Sequence, residues 1–366
     1  MIIKYKVYNQ DYSVVIKKKI SNTLLQDLKK LNSDKKILFI FDKKIDHSLT
    51  YNLTKDLKTS GCSVFILELT GDKINKSEKT LFKIIDFLIL NNFTKNSVIL
   101  SCAGGVIGDI ASLAACIYLR GMIYLHIPTT MTSIIDSCIG GKTGINYKNL
   151  INSVGTYYHP KSVYISQEIL EKIPNREYYS GIPEIIKYGI IKKNSILKSL
   201  IENQELLEKR NFEFMSKLIC ESLKTKIFYF SKDVYEKDSR LALNFGHTFA
   251  HAIEMATQKL FKKEIFRHGE AVGLGILCEL YYANKGFSKL QKDVEILLAK
   301  YALPTKVLKY IDSQILHSEI YKFLFVDKKK IGKYPRYIFL KNLGKPKIKT
   351  LDNFNLINKT INNIIK

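Results

Sequence analysis

The sequence predicts an α/β protein in two parts, an N-terminal domain with a Rossmann-like parallel sheet and a mostly α-helical C-terminal domain. Three observations predict this. Short apolar runs alternate with segments of helical spacing in the first half of the chain. A glycine-rich stretch follows one of these runs and opens a predicted helix. From about residue 175 onward, long segments with a 3.6-residue period replace the strand-like runs.

The strands are predicted from four apolar runs, at residues 37–41, 63–67, 98–102 and 122–127. The helices are predicted at 184–209, 212–232, 244–260 and 269–285, and the Lys- and Asn-rich end, 342–366, is expected to be a solvated helix. Residues 172–176 interrupt both patterns around Pro174. We therefore expect one domain at 1–174 and a second at 175–366.

The composition limits the class of protein. The 366 residues are 46% hydrophobic and 25% charged, which is enough to bury two domain-sized cores and excludes a disordered tail protein. No apolar run is long enough to span a bilayer, so we expect no membrane partner. The first residues alternate like an edge strand rather than a signal peptide, and the six cysteines form no CxxC pair. A cytoplasmic location is expected.

The formal charge of +24 raises the question of nucleic-acid binding. Only six of the 58 basic residues are arginine, and the lysines are spread along the whole chain rather than clustered. This pattern is typical of solvated lysine surfaces, so we expect no specific nucleic-acid partner. Such a surface would still attract small anionic substrates.

The glycine-rich stretch at 102–109 reads Cys-Ala-Gly-Gly-Val-Ile-Gly-Asp and precedes a predicted helix at 110–119. Glycines let the backbone approach a pyrophosphate, and a helix N-terminus offers N–H groups to it. The stretch predicts a dinucleotide-binding loop, with a tight structural turn as the alternative. A second cluster, 138–146, lacks the first glycine of a P-loop, which excludes a nucleoside triphosphatase. Its Lys142 is interpreted as a cation for an anionic ligand, or else as a surface lysine.

Three of the seven histidines, His247, His251 and His268, lie within 22 residues of the helical half. His247 and His251 are four residues apart and share a helix face. With one acid, two of the three imidazoles would make a zinc site with an open position. Glu184 and Glu270 are both candidates for the acid, and the spacing does not choose between them or between the histidines.

Together these stretches resemble the 3-dehydroquinate synthase family over roughly residues 70–345. The resemblance rests on several blocks in one order, which are 103–109, 118–121, 127–130, 136–143, 184–189, Arg240 with 244–254, 268–271 and 327–329. It implies a dehydroquinate synthase-like fold, with a nucleotide-binding N-terminal domain and a metal-binding C-terminal domain.

The resemblance also implies residue roles. The implied ligands of one divalent metal, Zn²⁺ or Co²⁺, are Glu184, His247 and His268. The implied NAD⁺-binding residues are Gly104, Gly105, Val106, Ile107, Gly108, Asp109, Thr129, Thr130 and Lys142. The implied catalytic residues are Lys142, Lys187, Arg240, Asn244, His251 and Lys329. The implied substrate-binding residues are Asp136, Asn152 and Arg120, and Arg120 would reach the site of the partner subunit in a homodimer.

The implied reaction converts 3-deoxy-D-arabino-heptulosonate 7-phosphate to 3-dehydroquinate and phosphate, a shikimate-pathway step toward chorismate and the aromatic amino acids. It proceeds by transient oxidation with NAD⁺, phosphate elimination, re-reduction and an intramolecular aldol closure. One alternative is a metal-dependent polyol or glycerol dehydrogenase of the same fold, which needs no phosphate-binding cations. The others are a related sugar-phosphate cyclase and a non-catalytic basic binding protein.

The sequence departs from the family pattern at four positions. Ala103 replaces a loop glycine, and Pro183 precedes the implied metal ligand Glu184. Ile151 stands where the family usually has a lysine, and Lys76 stands where an acid that holds a ribose hydroxyl is expected. The last two changes predict weaker NAD⁺ binding, with the catalytic chemistry less affected.

Overall fold

The computed structural model describes residues 1–148, 150–307, 313–325, 334–340 and 342–366. The chain divides into two compact units, Met1–Pro174 with Glu208–Ile227, and Asn175–Leu207 with Phe228–Lys366. The first unit contains a largely parallel sheet and the second is mostly helical, which confirms the predicted fold class. The domain limits 1–174 and 175–366 stay a prediction. None of the helices within the described ranges combines the length and the apolar character needed to cross a membrane.

The first unit contains a central sheet and a separate hairpin. The strands are β1 (Ile2–Val7), β2 (Gln10–Lys17), β3 (Lys36–Asp42), β4 (Ser63–Leu69), β5 (Val98–Ala103), β6 (Ile123–Pro128), β7 (Lys142–Tyr147), β8 (Leu150–Tyr157) and β9 (Ser162–Ser166). Seven of them form the sheet in the order β1-β2-β9-β6-β5-β3-β4. β1 is antiparallel to β2, the remaining neighbours are parallel, and β7 pairs with β8 as the hairpin.

The central strands are apolar on both faces because helices cover both sides of a parallel sheet. Every residue of β5 is buried, as are five of the seven in β3. The helices of this unit are α1 (Ser21–Leu31), α2 (His47–Thr59), α3 (Glu78–Leu90), α4 (Gly105–Ile117) and α5 (Gln167–Lys172). Parallel strands end at the same edge of a sheet, and in open α/β folds ligands bind there. This edge therefore holds the loop that follows β5.

The second unit is built from helices and one small hairpin. Its elements are α6 (Asn175–Ser180), α7 (Ile182–Ile191), α8 (Asn194–Glu202), α9 (Gln204–Glu208), the end of α10 (Phe212–Phe230), α11 (His247–Phe261), α12 (His268–Asn284), α13 (Lys289–Lys300), α14 (Ser313–Leu324), β10 (Arg336–Leu340), β11 (Pro346–Thr350) and α15 (Phe354–Ile365). α7 is buried along its whole length and α12 along most of it. A helix that is apolar on all sides lies inside a helical domain, so these two form its centre.

Two predicted helices differ in detail from the structure. The segment 184–209 forms three helices, α7, α8 and α9, because the chain leaves helical geometry at Lys192 and again at Asn203. The terminal segment 342–366 contains the strand β11 before α15, and α15 buries one apolar face rather than being solvated on all sides.

Glu279 is a fully buried acid on α12. Its Oε2 accepts the backbone N–H of Ile338 at 3.2 Å, and burial raises the pKa of the carboxyl from the ordinary value of 4.5 to about 8. Between these two pH values the folded chain keeps a proton that the unfolded chain has lost. The free energy of unfolding therefore falls as the pH rises through this interval.

We expect Glu279→Gln to remove this part of the pH dependence, because glutamine is neutral, similar in size and still accepts a hydrogen bond. Relative to the variant, the unsubstituted chain should lose up to about 1.4 kcal/mol of stability per pH unit between about pH 5 and pH 8. Urea denaturation of both proteins across that range measures the difference. A difference that stays constant with pH contradicts the raised pKa.

Candidate functional site

The loop after β5 brings most of the predicted cofactor residues together. Gly104 has an extended backbone, and a Cβ at this position would lie only 2.9 Å from Cγ2 of Thr130. The missing side chain lets the loop lie against 129–130, where Thr129 donates its N–H to the carbonyl of Ala103 at 3.1 Å. Residues 105–109 form the first turn of α4, which has no side-chain N-cap. The amide groups of this turn are therefore suited to an anionic group such as a pyrophosphate.

Asp109 and Asn152 meet at Lys76. The ammonium of Lys76 lies 2.6 Å from Oδ2 of Asp109 and 2.5 Å from Oδ1 of Asn152. Burial raises the pKa of Asp109, and the nearby Lys76 opposes that shift. By the family resemblance Lys76 stands at the position of a ribose-binding acid, whereas in the structure it lies between a predicted cofactor residue and a predicted substrate residue. The neighbouring Ile151 is exposed on β8.

Asp136 and Lys142 lie in the same unit. Asp136 sits on a π-helical turn, Ser133–Ser137, and its Oδ1 lies 3.0 Å from the ammonium of Lys226 on α10. Lys142 begins β7 directly after Gly141, whose φ of +69° and contact with the His159 ring leave no space for a Cβ. A pocket next to the first turn of α4 is lined by Gly105, Gly108, Asp109, Ser137, Lys142 and neighbouring residues.

Arg120 does not line this pocket. It is exposed on a turn in which Leu119 and Arg120 both have positive φ, 48° and 62°. Two consecutive left-handed residues that are not glycine carry backbone strain. The turn presents the guanidinium on the surface of the first unit.

In the second unit, three helices place Glu184, His247 and His268 next to each other. Glu184 lies in the first turn of the buried helix α7, and each histidine is the first residue of its helix, α11 or α12. Glu270 does not join this group: it accepts two hydrogen bonds from Arg176, each at 2.8 Å, and one from the backbone N–H of Arg267 at 2.9 Å. These bonds fix the start of α12. Of the two candidate acids, Glu184 is therefore the one that lies beside the histidines.

The distances within this group fit a metal ion. One ligand atom from each residue lies within 4.8 Å of the other two. Nε2 of His247 and Nε2 of His268 lie 3.5 Å and 3.7 Å from Oε1 of Glu184. Ligand atoms held about 2.0–2.1 Å from a tetrahedral zinc ion are roughly 3.4 Å apart. Two imidazoles and one carboxylate at this spacing could hold a divalent ion with one position open, as catalytic zinc sites do.

Both imidazoles are oriented for this role. Nδ1 of His247 donates to the carbonyl of Phe245 at 3.1 Å, and Nδ1 of His268 donates to Oε2 of Glu254 at 3.1 Å. A proton on Nδ1 leaves the Nε2 lone pair directed toward Glu184. Burial lowers the pKa of His247, which keeps its ring neutral as metal binding requires.

The other predicted catalytic residues of this unit lie on α7 and around the start of α11. Lys187 is 1% exposed and its ammonium binds Oε2 of Glu184 one turn away, so Glu184 presents its two oxygens to different partners. Arg240 is buried and donates to the carbonyl of Val234 at 2.7 Å.

Asn244 and His251 line one pocket together with His247 and Thr248. Asn244 also donates to Oε1 of Glu236 at 2.6 Å. Lys329 lies outside the described residues.

Sequence reasoning missed Lys226 and Glu254 as members of these groups, and it named Lys76 only as a departure from the family pattern. Glu254 follows His251 by three residues on the face that carries both histidines, a spacing that pointed to it. Lys226 is buried on α10, and no pattern in the sequence around it distinguishes it from the exposed lysines.

Comparisons with known proteins identify the family. The family model described as 3-dehydroquinate synthase N-terminal matches residues 66–180, and the one described as 3-dehydroquinate synthase C-terminal matches residues 181–330. A 3-dehydroquinate synthase of Prochlorococcus marinus (strain MIT 9312) is 35% identical over 344 residues, which cover 92% of each chain.

Solved structures confirm the fold. A 2-deoxy-scyllo-inosose synthase complexed with carbaglucose-6-phosphate, NAD⁺ and Co²⁺ superimposes with a TM-score of 0.86, 22% identity and full coverage of both chains. A 2-epi-5-epi-valiolone synthase from Streptomyces hygroscopicus subsp. jinggangensis 5008, with NAD⁺ and Zn²⁺ bound, gives a TM-score of 0.83 at 20% identity and 98% coverage of each chain. With both family models matched and a relative above 30% identity along almost its whole length, the chain belongs to the 3-dehydroquinate synthase family and is an enzyme of this type.

Proposed function

We propose that this enzyme converts 3-deoxy-D-arabino-heptulosonate 7-phosphate to 3-dehydroquinate and phosphate, using NAD⁺ and one divalent metal. The observation that carries the proposal is the group formed by Glu184, His247 and His268, an open three-ligand arrangement in a chain of this family. The two solved structures described above contain NAD⁺ with Co²⁺ or Zn²⁺, which supports the same cofactor and either of these metals here.

The nucleotide would lie along the loop after β5. We assign its pyrophosphate to residues 104–109 and the adjoining sugar to Thr129, Thr130 and Lys142, which face the same loop or the same pocket. When bound, NAD⁺ would take and later return the hydride at C5 of the substrate, while the metal would polarise the hydroxyl that is oxidised.

The side chains of the second unit would hold the substrate against the metal ligands. Because Lys187 binds one oxygen of Glu184 and the two histidines face the other, a ligand beside the histidines also lies near the Lys187 ammonium. We assign Lys187 to the substrate carboxylate or hydroxyls. Asn244 and His251 line the pocket beside His247 and would hold the phosphate with Arg240.

Phosphate elimination needs little proton chemistry from the protein. A ketone at C5 acidifies the proton at C6, and the departing phosphate itself can accept that proton. The task of the protein is then to place cations and amides around an anion. The family resemblance assigns Lys142, Lys329 and Asn152 as well to the phosphate or to the rest of the substrate. Asp136 would orient the substrate hydroxyls. Because bound NAD⁺ would return the hydride, ring opening and an intramolecular aldol step would then close the new carbocycle with no net oxidation.

The enzyme would act as a homodimer in the cytoplasm. Its exposed Arg120 would reach the phosphate in the site of the partner subunit, which is consistent with the strained turn that presents it on the surface. The six cysteines are free thiols, which supports a reducing compartment. Analytical ultracentrifugation of the purified chain should give twice the chain mass.

The test of the proposed function is release of inorganic phosphate from the heptulosonate phosphate. We expect release when NAD⁺ and Zn²⁺ or Co²⁺ are both present, no accumulation of NADH, and loss of release after chelation or omission of NAD⁺. Re-addition of metal should restore the rate. Release that persists in the presence of a chelator, or that fails with every divalent metal, would overturn the proposal.

A further inference from the structure

One face of α11 carries three polar side chains in a row. His247, His251 and Glu254 are spaced by four and three residues, which places them on the same side of the helix. The proposed function uses the two histidines and leaves the role of Glu254 open. Glu254 is 14% exposed, so its carboxylate is held in a largely buried position rather than in open solvent.

The two ring nitrogens of His268 face two different carboxylates. Nδ1 lies 3.1 Å from Oε2 of Glu254, and Nε2 lies 3.7 Å from Oε1 of Glu184. A carboxylate accepts a hydrogen bond, so the Glu254 contact keeps the ring proton on Nδ1. The lone pair on Nε2 is then available at the metal position.

Among the three proposed metal ligands, His268 is the least enclosed. Its side chain is 34% exposed, compared with 12% for His247 and 0% for Glu184. His247 is oriented by the carbonyl of Phe245 only two residues away. His268 takes its orientation from a side chain on a neighbouring helix instead.

We propose that Glu254 is a positioning residue for the metal centre: its carboxylate sets the tautomer and ring orientation of His268. The proposal rests on the metal-dependent function proposed above. Carboxylates that orient a ligating histidine typically change metal affinity 10- to 100-fold when they are removed.

A direct ligand role for Glu254 is the competing arrangement. His251, Glu254 and His268 form a second group whose ligand atoms also lie within 4.8 Å of one another. An ion bound there through Nδ1 of His268 would displace the hydrogen bond from that nitrogen to Glu254. A ring that binds an ion through Nδ1 carries its proton on Nε2 and cannot also bind an ion of the first group. The second arrangement makes His251 a metal ligand and predicts that its loss weakens Zn²⁺ binding, whereas the positioning role of Glu254 predicts that it does not.

The experiment measures Zn²⁺ dissociation constants of the full-length chain by competition with a chromophoric chelator. We expect Glu254→Ala to weaken binding about 10- to 100-fold. Glu254→Gln should lie between Glu254→Ala and the unsubstituted chain, because the amide oxygen still accepts the Nδ1 proton. The control is Glu319→Gln on α14. It removes a carboxylate that binds Lys259 of α11, the helix that carries Glu254, at 2.7 Å, and it should leave Zn²⁺ binding unchanged.

A spectroscopic measurement separates positioning from general damage. In ¹⁵N-labelled metal-free protein, the His268 ring should show the Nδ1–H form, and Glu254→Ala should shift it toward a mixture of tautomers. Equal Zn²⁺ affinity in Glu254→Ala and the unsubstituted chain would overturn the proposal, and so would a loss in His251→Ala as large as in Glu254→Ala. Failure of the unsubstituted chain to bind Zn²⁺ would instead overturn the metal-dependent function itself, together with this inference.

Discussion

Glu184→Gln should abolish metal binding and reduce phosphate release by at least about 10³-fold, because it removes the one carboxylate of the proposed metal group. The same change should destabilise the metal-free chain by about 3–5 kcal/mol. The reason is that Lys187, at 1% exposure, loses the carboxylate that binds its ammonium, and a buried charge without its counterion is costly. Isothermal titration with Zn²⁺ and urea denaturation in a chelator measure the two effects separately.

A second substitution distinguishes the two effects. Adding Lys187→Met to Glu184→Gln removes the buried charge and should recover much of the lost stability without recovering Zn²⁺ binding or phosphate release. Glu319→Gln, a change of the same type in an ion pair of the same unit, serves as the control for both measurements. If Glu184→Gln still binds Zn²⁺ with the affinity of the unsubstituted chain, Glu184 is not a metal ligand.

Gly275→Ala should destabilise the second unit strongly, and much more than Gly273→Ala. A Cβ at Gly275 would overlap the carbonyl oxygen of Gly246 and lie 2.8 Å from the backbone nitrogen of Ala250, at the crossing of α12 and α11. These atoms are backbone, so the two helices must move apart. We expect a loss of roughly 3 kcal/mol or more, since overpacking of this kind exceeds the approximately 1 kcal/mol by which alanine favours a helix over glycine.

Gly273→Ala is the matched control on the same helix. A Cβ there would meet Cδ2 of Leu298 at 3.2 Å, the end of a flexible side chain that can shift. Its stability should therefore stay within about 1 kcal/mol of the unsubstituted chain. Urea midpoints with unchanged slopes measure both variants, and equal midpoints for the two would show that the helices do not approach each other at Gly275.

Much of the fold could be predicted from the sequence because its elements have strong local patterns. The four apolar runs correspond to β3, β4, β5 and β6, and the long periodic segments correspond to α10, α11 and α12. The strands β2, β7, β8, β9, β10 and β11 were missed. β9 is only five residues long and is buried throughout, and β8 has no buried residue. Neither strand therefore shows the alternation of buried and exposed residues that identifies a strand in a sequence.

The site was predictable only in part. The glycine loop and the three histidines stand out because few residue types suit those positions, and the family resemblance points to Glu184 although residue spacing does not. The pairings of Lys76 with Asp109 and of Lys226 with Asp136 join residues 33 and 90 positions apart. Local periodicity carries no information about such distant partners, so only the folded chain shows them.

Gly246 shows how closely packing and chemistry depend on each other in the second unit. It adopts a left-handed conformation, φ +82°, directly before His247, and the space of a side chain at this position is filled by Ile276 and the carbonyl of Val272. A substitution that crowded this contact would shift the first turn of α11, and the His247 imidazole with it. The packing around Gly246 and the geometry of the group formed by Glu184, His247 and His268 therefore cannot be changed independently of each other.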